Sequence, residues 1–286
     1  MTFDSCKTIL GKLAVLNRYS LDAPLIAVLW QTVLARDLSV ELALHHHLIL
    51  GSSVWLAYSA DRFSEPFLPG SQSAKRYEAF KNSRRPFLFC WVACLFIAFC
   101  SSVIHLDFQC LALGFSLASL SLANFCLCLL ESRRGVFLPC PKEVRTACIL
   151  SLGCVLFPAC LSKDAFPEIL FFTVLLFLAF FMNCLYVSKW EFHKDRDRGR
   201  LSCLQTKENL MKWLPRVSCF AFLVLVMVAL SQGMMPHLIP QVFLIFLFVA
   251  TLESLVMEDD HKRQAVDQGY WILPLALLGV VHVASL

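Results

Sequence analysis

The sequence predicts an all-α fold, a polytopic membrane bundle of about nine transmembrane helices, in a single integral-membrane domain over residues 1–286. Three observations predict it. The chain is 58% hydrophobic and only 16% charged, whereas a soluble domain carries about 25% charged residues. Its apolar residues fall in runs of roughly 17–25, the length that crosses hydrocarbon as a helix. The loops between those runs alternate between basic and nearly uncharged, which is the signature of a fixed membrane orientation. The mean hydropathy of +0.67 agrees.

Residues 1–20 carry Lys7, Lys12 and Arg18 and read as a cytoplasmic N-terminal segment. Scattered charge and the lack of a small-residue cleavage site argue against a signal peptide. The expected spans are 21–35, 40–60, 87–106, 108–130, 144–161, 166–190, 214–231, 237–257 and 269–286. The first, which is short, and the fifth are the weakest of these, but omitting either breaks the alternation of loop charge. Pro66, Pro86, Pro167 and Pro236 punctuate the boundaries. Loop 61–86 holds Arg62, Lys75, Arg76, Lys81, Arg84 and Arg85; loop 131–143 holds Arg133, Arg134 and Lys142; loop 191–213 holds Lys194, Arg196, Arg198, Arg200, Lys207 and Lys212; loop 258–268 holds Lys262 and Arg263. The connections at 36–39, 105–107, 162–165 and 232–236 carry little charge. The positive-inside rule places the N-terminus and the basic loops in the cytoplasm and the C-terminus outside. The bilayer is thus the first expected partner. No basic stripe with interleaved aromatics is present, so nucleic acid is not an expected one.

The chemistry-bearing residues gather where two spans end. Span 40–60 closes on Asp61-Arg62-Phe63-Ser64-Glu65, and span 166–190 closes on Glu191-Phe192-His193-Lys194-Asp195-Arg196-Asp197. Asp61 and Glu65, and likewise Glu191 and Asp195, are spaced i, i+4, which puts each pair on one helix face. Both pairs fall on the expected cytoplasmic side. Hard carboxylate oxygens suit Mg²⁺, which binds one or two carboxylates together with substrate phosphates and water. Arg62, Lys194 and Arg196 would then grip phosphate, Arg bidentately. The plainer explanation is a solvated salt-bridge network, because mixed charge at helix ends is common.

These residues carry a resemblance. The topology and the two acidic stretches are similar to the UbiA superfamily of intramembrane prenyltransferases, over nearly the whole chain. That family has nine transmembrane helices and two aspartate-rich motifs, in the cytoplasmic loops after its second and sixth helices. Its first motif, Asn-Asp-x-x-Asp-x-x-x-Asp, aligns with Ala57 to Glu65; Asp61 is kept, Glu65 replaces an Asp, and Ala57-Tyr58 stand where the Asn-Asp pair would be. Its second motif, Asp-x-x-x-Asp, aligns with Glu191 to Asp195, with one Glu for Asp. The residues resemble the divergent UbiA-like branch. The resemblance implies a UbiA-like bundle and an enzyme that transfers a prenyl group from a polyprenyl diphosphate to a lipophilic acceptor. It implies Asp61, Glu65, Glu191 and Asp195 as catalytic Mg²⁺ ligands, with Arg62, Asn183, Lys194, Arg196 and Asp197 binding substrate. The Ala57-Tyr58 departure keeps a second function open: a non-enzymatic paralogue that binds or carries lipid or belongs to a membrane complex.

Other residues read more simply. His45-His46-His47 lie near the outer end of their span, and consecutive helix positions diverge, so the three cannot share one metal; they read as an interfacial polar cluster, with haem or quinone contact as the alternative. The 14 Cys show no paired CxxC motif and read as small, buried, reduced thiols. Asn183 is expected to face the bundle. Glu253, about one turn inside its span, is a functional candidate because an acid there is costly unless paired. Trp55, Trp190, Trp213 and Trp271 read as interfacial anchors.

Overall fold

The computed structural model describes residues 19–64, 84–134, 138–162, 165–197 and 202–231. Glu65, Glu253 and the spans expected at 237–257 and 269–286 lie outside the described residues. Among the described residues every regular element is a helix: α1 Asp22–Asp37, α2 Leu44–Ser64, α3 Arg84–His105, α4 Phe108–Arg134, α5 Lys142–Leu161, α6 Phe166–Trp190, α7 Phe192–Asp197 and α8 Glu208–Ser231. The helices α3, α4, α5 and α6 are long and apolar enough to cross a membrane.

The long apolar runs make the long helices. At 27 residues, α4 is about 40 Å long, and α6 at 25 residues about 37 Å; both exceed the hydrocarbon thickness of about 30 Å. Both end close to where the apolar run ends. By contrast α3 and α5 begin earlier than expected, because their first turns recruit Arg84, Arg85, Lys142 and Glu143. A helix can continue past the hydrocarbon into the headgroup region, where charged first-turn residues are solvated or paired. α3 and α4 turn large apolar side chains outward, among them Phe89 (76% exposed), Phe96 (67%) and Phe108 (86%). Contiguous apolar surface of this kind marks contact with lipid or partner rather than water.

The span expected at 21–35 departs from this pattern. α1 has 16 residues and is about 24 Å long, too short to cross unaided. It is instead the most enclosed element. Ala27, Trp30, Val33 and Leu34 are fully buried, and Ile26, Leu29 and Ala35 nearly so. A helix sheathed by other helices meets protein rather than lipid on most of its circumference, so its polar side chains lie against neighbouring helices. Gln31, fully buried, accepts a hydrogen bond from His47 Nδ1 at 3.2 Å. Thr32 Oγ1 donates to the Val28 carbonyl at 2.8 Å.

The packing runs from α3 to α2, α1, α5, α6 and α8, with α4 against α5 and α2. Specific contacts set the directions. Trp55 Nε1, late in α2, donates to the Tyr19 carbonyl just before α1. His46, early in α2, lies 5.0 Å ring to ring from Phe157, late in α5. Ser188, at the end of α6, meets Glu143, at the start of α5. So α2 and α5 are antiparallel, α5 and α6 are antiparallel, and α2 and α6 run parallel. The C-terminal ends of α2 and α6 therefore lie at the same end of the bundle. Gly153 of α5 faces Leu50 of α2 and Leu117 of α4; a Cβ there would touch them at 3.5 and 3.9 Å. Small residues at such crossings let membrane helices approach closely.

One ion pair fastens α4 to α5. Arg145 Nη2 donates to Glu131 Oε2 at 2.6 Å and Nη1 to Oε1 at 3.2 Å, while Nε donates to Asn124 Oδ1 at 2.9 Å. Nη1 also reaches the Cys140 carbonyl at 2.6 Å. The two charged side chains are only 11% and 17% exposed, so neither ion has ready access to water. Arg145→Ala is expected to lower the unfolding free energy by about 3 kcal/mol, the order found when one partner of a largely buried pair is deleted. The double change Arg145→Met with Glu131→Met is expected to recover most of it. Thermal unfolding of the detergent-solubilised chain measures both; equal losses in the single and double variants would remove the clamp from the account.

Candidate functional site

The second acidic stretch is built by a near-continuous helix. α6 ends at Trp190, and the Glu191 backbone at φ −86°, ψ −1° breaks the regular geometry for one residue. The Glu191 N–H still donates to Val187 at 2.9 Å, and the Asp195 N–H donates to the Glu191 carbonyl at 2.8 Å. This i→i+4 bond carries the helical repeat into α7, so Glu191 and Asp195 occupy one face, as their spacing predicts. Both are half-buried. Arg196 is exposed and holds its guanidinium carbon 5.9 Å from the centre of the Phe192 ring. Lys194 and Asp197 fall on α7 and Asp61 and Arg62 on the last turn of α2, but the side chains of these four lie outside the description.

A turn that the sequence reading passes over as loop organises the site. Ser202-Cys203-Leu204-Gln205 closes a reciprocal capping box. The Ser202 N–H donates to Gln205 Oε1 at 2.7 Å, and the Gln205 N–H donates to Ser202 Oγ at 3.2 Å. Thr206 N–H completes the turn on the Ser202 carbonyl at 3.1 Å. The box leaves the Gln205 amide nitrogen pointing away from its own turn. Nε2 donates to the Ser188 carbonyl at 2.8 Å and to Asp195 Oδ2 at 2.7 Å. Gln205 is 1% exposed, and all its amide atoms are used. The signal for it was legible: Ser-x-x-Gln ahead of an apolar run is the capping-box pattern.

Beneath this turn lies a buried acid. Glu143, 2% exposed, sits in the first turn of α5, where the helix dipole favours a negative charge. Its Oε1 accepts from Ser188 Oγ at 2.8 Å, and its Oε2 has no hydrogen-bond partner. A chain of contacts therefore runs Glu143, Ser188, Gln205, Asp195 across three helices and a turn. Neither Glu143 nor Ser188 follows from the sequence alone, because the pairing joins positions far apart in the chain. Asn183, expected to face the bundle, has a buried Oδ1 without a hydrogen-bond partner.

Several simpler expectations are corrected. The cysteines are not uniformly buried: Cys110 and Cys154 are, but Cys90, Cys126 and Cys140 are exposed, Cys90 and Cys126 on the outward-facing helices α3 and α4, where a thiol serves as a small apolar group. Trp190 is no surface anchor; it is 6% exposed and packs 5.6 Å ring to ring from Tyr186. The three consecutive histidines depart less from expectation: the His45 ring lies 4.1 Å from that of His46 and stacks on His105 at 4.6 Å, His46 accepts from the Ala43 N–H at 3.1 Å, and His47 bonds Gln31.

At the foot of α6, Asp195 bonds Gln205 through Oδ2 and Glu191 lies one helical turn before it; carboxylate oxygens are the donor type that Mg²⁺ takes. Among the described residues no three His, Cys, Asp or Glu groups are placed to share a metal ion; Glu65 and the Asp61 side chain lie outside them. Compared with protein-family models, curated proteins and solved structures, the chain matches none.

Ser188→Ala is expected to cost about 1–3 kcal/mol, because it removes the donor that Glu143 Oε1 uses in a buried setting. Glu143→Gln, which keeps an acceptor for Ser188 and replaces the buried carboxyl by a neutral amide, is expected to be near neutral in the wild-type background and to relieve much of the Ser188→Ala loss. Equilibrium unfolding in mixed micelles reads both, and a larger loss in Glu143→Gln than in Ser188→Ala would reverse the assignment.

Proposed function

We propose that the chain is a UbiA-like, Mg²⁺-dependent intramembrane prenyltransferase that moves a prenyl group from a polyprenyl diphosphate to a lipophilic acceptor. The observation that carries this reading is directional: α2 and α6 run parallel, so the acidic stretches that close them lie at one end of an apolar bundle. On this reading α1, α2, α8 and the spans expected at 237–257 and 269–286 complete a bundle of about nine helices. The basic end faces the cytoplasm.

Asp61, Glu65, Glu191 and Asp195 would hold Mg²⁺, whose charge offsets that of the departing diphosphate. Arg62, Lys194 and Arg196 supply the cations that bind phosphate oxygens, and Asp197 adds a further acidic group at the same turn. Asn183 lies about two turns deeper than Glu191, where its unpartnered Oδ1 can accept a hydrogen bond from an acceptor hydroxyl. The apolar interior takes the prenyl chain, and its aromatic walls stabilise the allylic cation left when the carbon–oxygen bond breaks.

A second reading has its own observation. Ala57 and Tyr58 replace the Asn-Asp pair of the first motif, and Ala57 is exposed with no ligating group. A chain that retains lipid without diphosphate chemistry, as carrier or complex subunit, is consistent with that change.

Binding of farnesyl diphosphate to the purified chain separates the two. The enzyme reading expects Mg²⁺-dependent binding that chelation abolishes and that weakens at least about tenfold in Asp61→Ala and Asp195→Ala, since each removes a charge-assisted contact of about 1.5–3 kcal/mol. Binding indifferent to Mg²⁺ and to both substitutions, together with co-purified lipid, would establish the carrier instead.

A further inference from the structure

We infer that Gln205 is a positioning residue for Asp195: it fixes one carboxylate oxygen so that the other faces the metal. This deepens the proposed function and rests on its assignment of Asp195 as a Mg²⁺ ligand. The geometry is over-determined. An amide can be turned end for end without changing its shape, which leaves its direction open unless a neighbour decides it. Here the Ser202 N–H decides it, because a donor at 2.7 Å requires the oxygen on that side. The nitrogen must then point at the Ser188 carbonyl and Asp195 Oδ2, at 2.8 and 2.7 Å. The bond to Ser188 is made to backbone at the end of α6, so the amide is anchored to a packed helix as well as to its own turn. Asp195 is thereby held against a rigid point on α6 rather than left to rotate on a short helix.

Outer partners of metal-binding carboxylates act in this way: they restrict rotation of the carboxylate and direct the remaining lone pairs. A solvated acidic turn on a membrane surface has no need of such a tie, since water satisfies its carboxylates. Enclosing a neutral amide at 1% exposure in order to bond one half-buried aspartate is the arrangement expected where the direction of that aspartate matters.

Two substitutions separate this role from mere support of the turn. Gln205→Glu keeps an acceptor for the Ser202 N–H, so the capping box survives, but replaces the donor facing Asp195 by a second carboxylate. Gln205→Met removes the donor without adding charge but also removes the acceptor for the Ser202 N–H, so it is read against Ser202→Ala, which weakens the same turn and leaves the Gln205 amide in place. The probe is Mn²⁺ standing in for Mg²⁺, titrated by electron paramagnetic resonance into the full-length chain with farnesyl diphosphate present, with the melting temperature recorded alongside. The expected result is an affinity for Mn²⁺ about 10–100-fold weaker in the Gln205 variants and close to wild type in Ser202→Ala, although that variant also lowers the melting temperature. Asp195→Ala combined with Gln205→Met should be no weaker than Asp195→Ala alone, because the glutamine acts through that carboxylate. If Asp195→Ala loses Mn²⁺ while the Gln205 variants bind as wild type does, or if the double variant is weaker by the sum of the two, the positioning role is overturned and the metal site stands. If Asp195→Ala leaves Mn²⁺ binding unchanged, the metal assignment itself fails and takes the positioning role with it.

Discussion

Two acidic and basic side chains in one helical turn tie three helices together. In the first turn of α5, Glu143 bonds Ser188 at the end of α6, and Arg145 bonds Glu131 and Asn124 near the end of α4. The constraint behind this is the solvent. Ions withdrawn from water must meet partners within the protein, and an isolated one costs several kcal/mol. A charged turn set among packed helices can therefore satisfy itself only if its neighbours arrive in a particular register. The apolar surfaces of α4, α5 and α6 specify little of this, since between membrane helices no hydrophobic driving force selects one alignment over another. The polar contacts at the basic end provide the register, and close packing at Gly153 and around Phe157, Phe172 and Phe180 follows from it.

The helices themselves were largely written in the length of the apolar runs. Residues 166–190 are helical from the first to the last position expected, and 108–130 differs only by an extra turn at its end. The length of the apolar run sets the length of the helix whether its sides face outward, as in α4, or are half enclosed by protein, as in α6. What surrounds a helix is not written in that length. α1 reads as a weak span because its apolar run is short, and it proves to be the most enclosed of the described helices, with even Asp22 and Gln31 at 7% and 0% exposed. The same holds for Trp190, whose place at a span end suggested the interface although it lies against Tyr186 in the interior.

The candidate site was legible in half. The i, i+4 spacing of Glu191 and Asp195 is a local property, and the helical hydrogen bond between their backbones follows from it. The turn at Ser202 to Gln205 is local as well, and its capping-box pattern could have been read. What joins the two is not local. That the spare nitrogen of Gln205 meets Asp195 depends on the chain doubling back beneath α6 after α7, and no periodicity in one sequence encodes such a return. Glu143 is harder still: in the sequence it is one charge at the edge of a basic loop, with nothing to mark it as buried.

The two acidic stretches differ in what the chain has kept around them. The first has Ala57 and Tyr58 where the resemblance would put an Asn-Asp pair. The second sets Glu191 and Asp195 on one helix face and adds a buried amide, oriented by a capping box and bonded at once to helix backbone and to Asp195. Were the second stretch a vestige, its acids would need only solvation, and Gln205 would gain nothing by being enclosed. A buried amide costs desolvation that only complete hydrogen bonding offsets, so its full set of partners sets a narrow tolerance on the position of Asp195. In the proposed prenyltransferase that tolerance would fix the direction of one carboxylate, which a surface acid satisfied by water does not require.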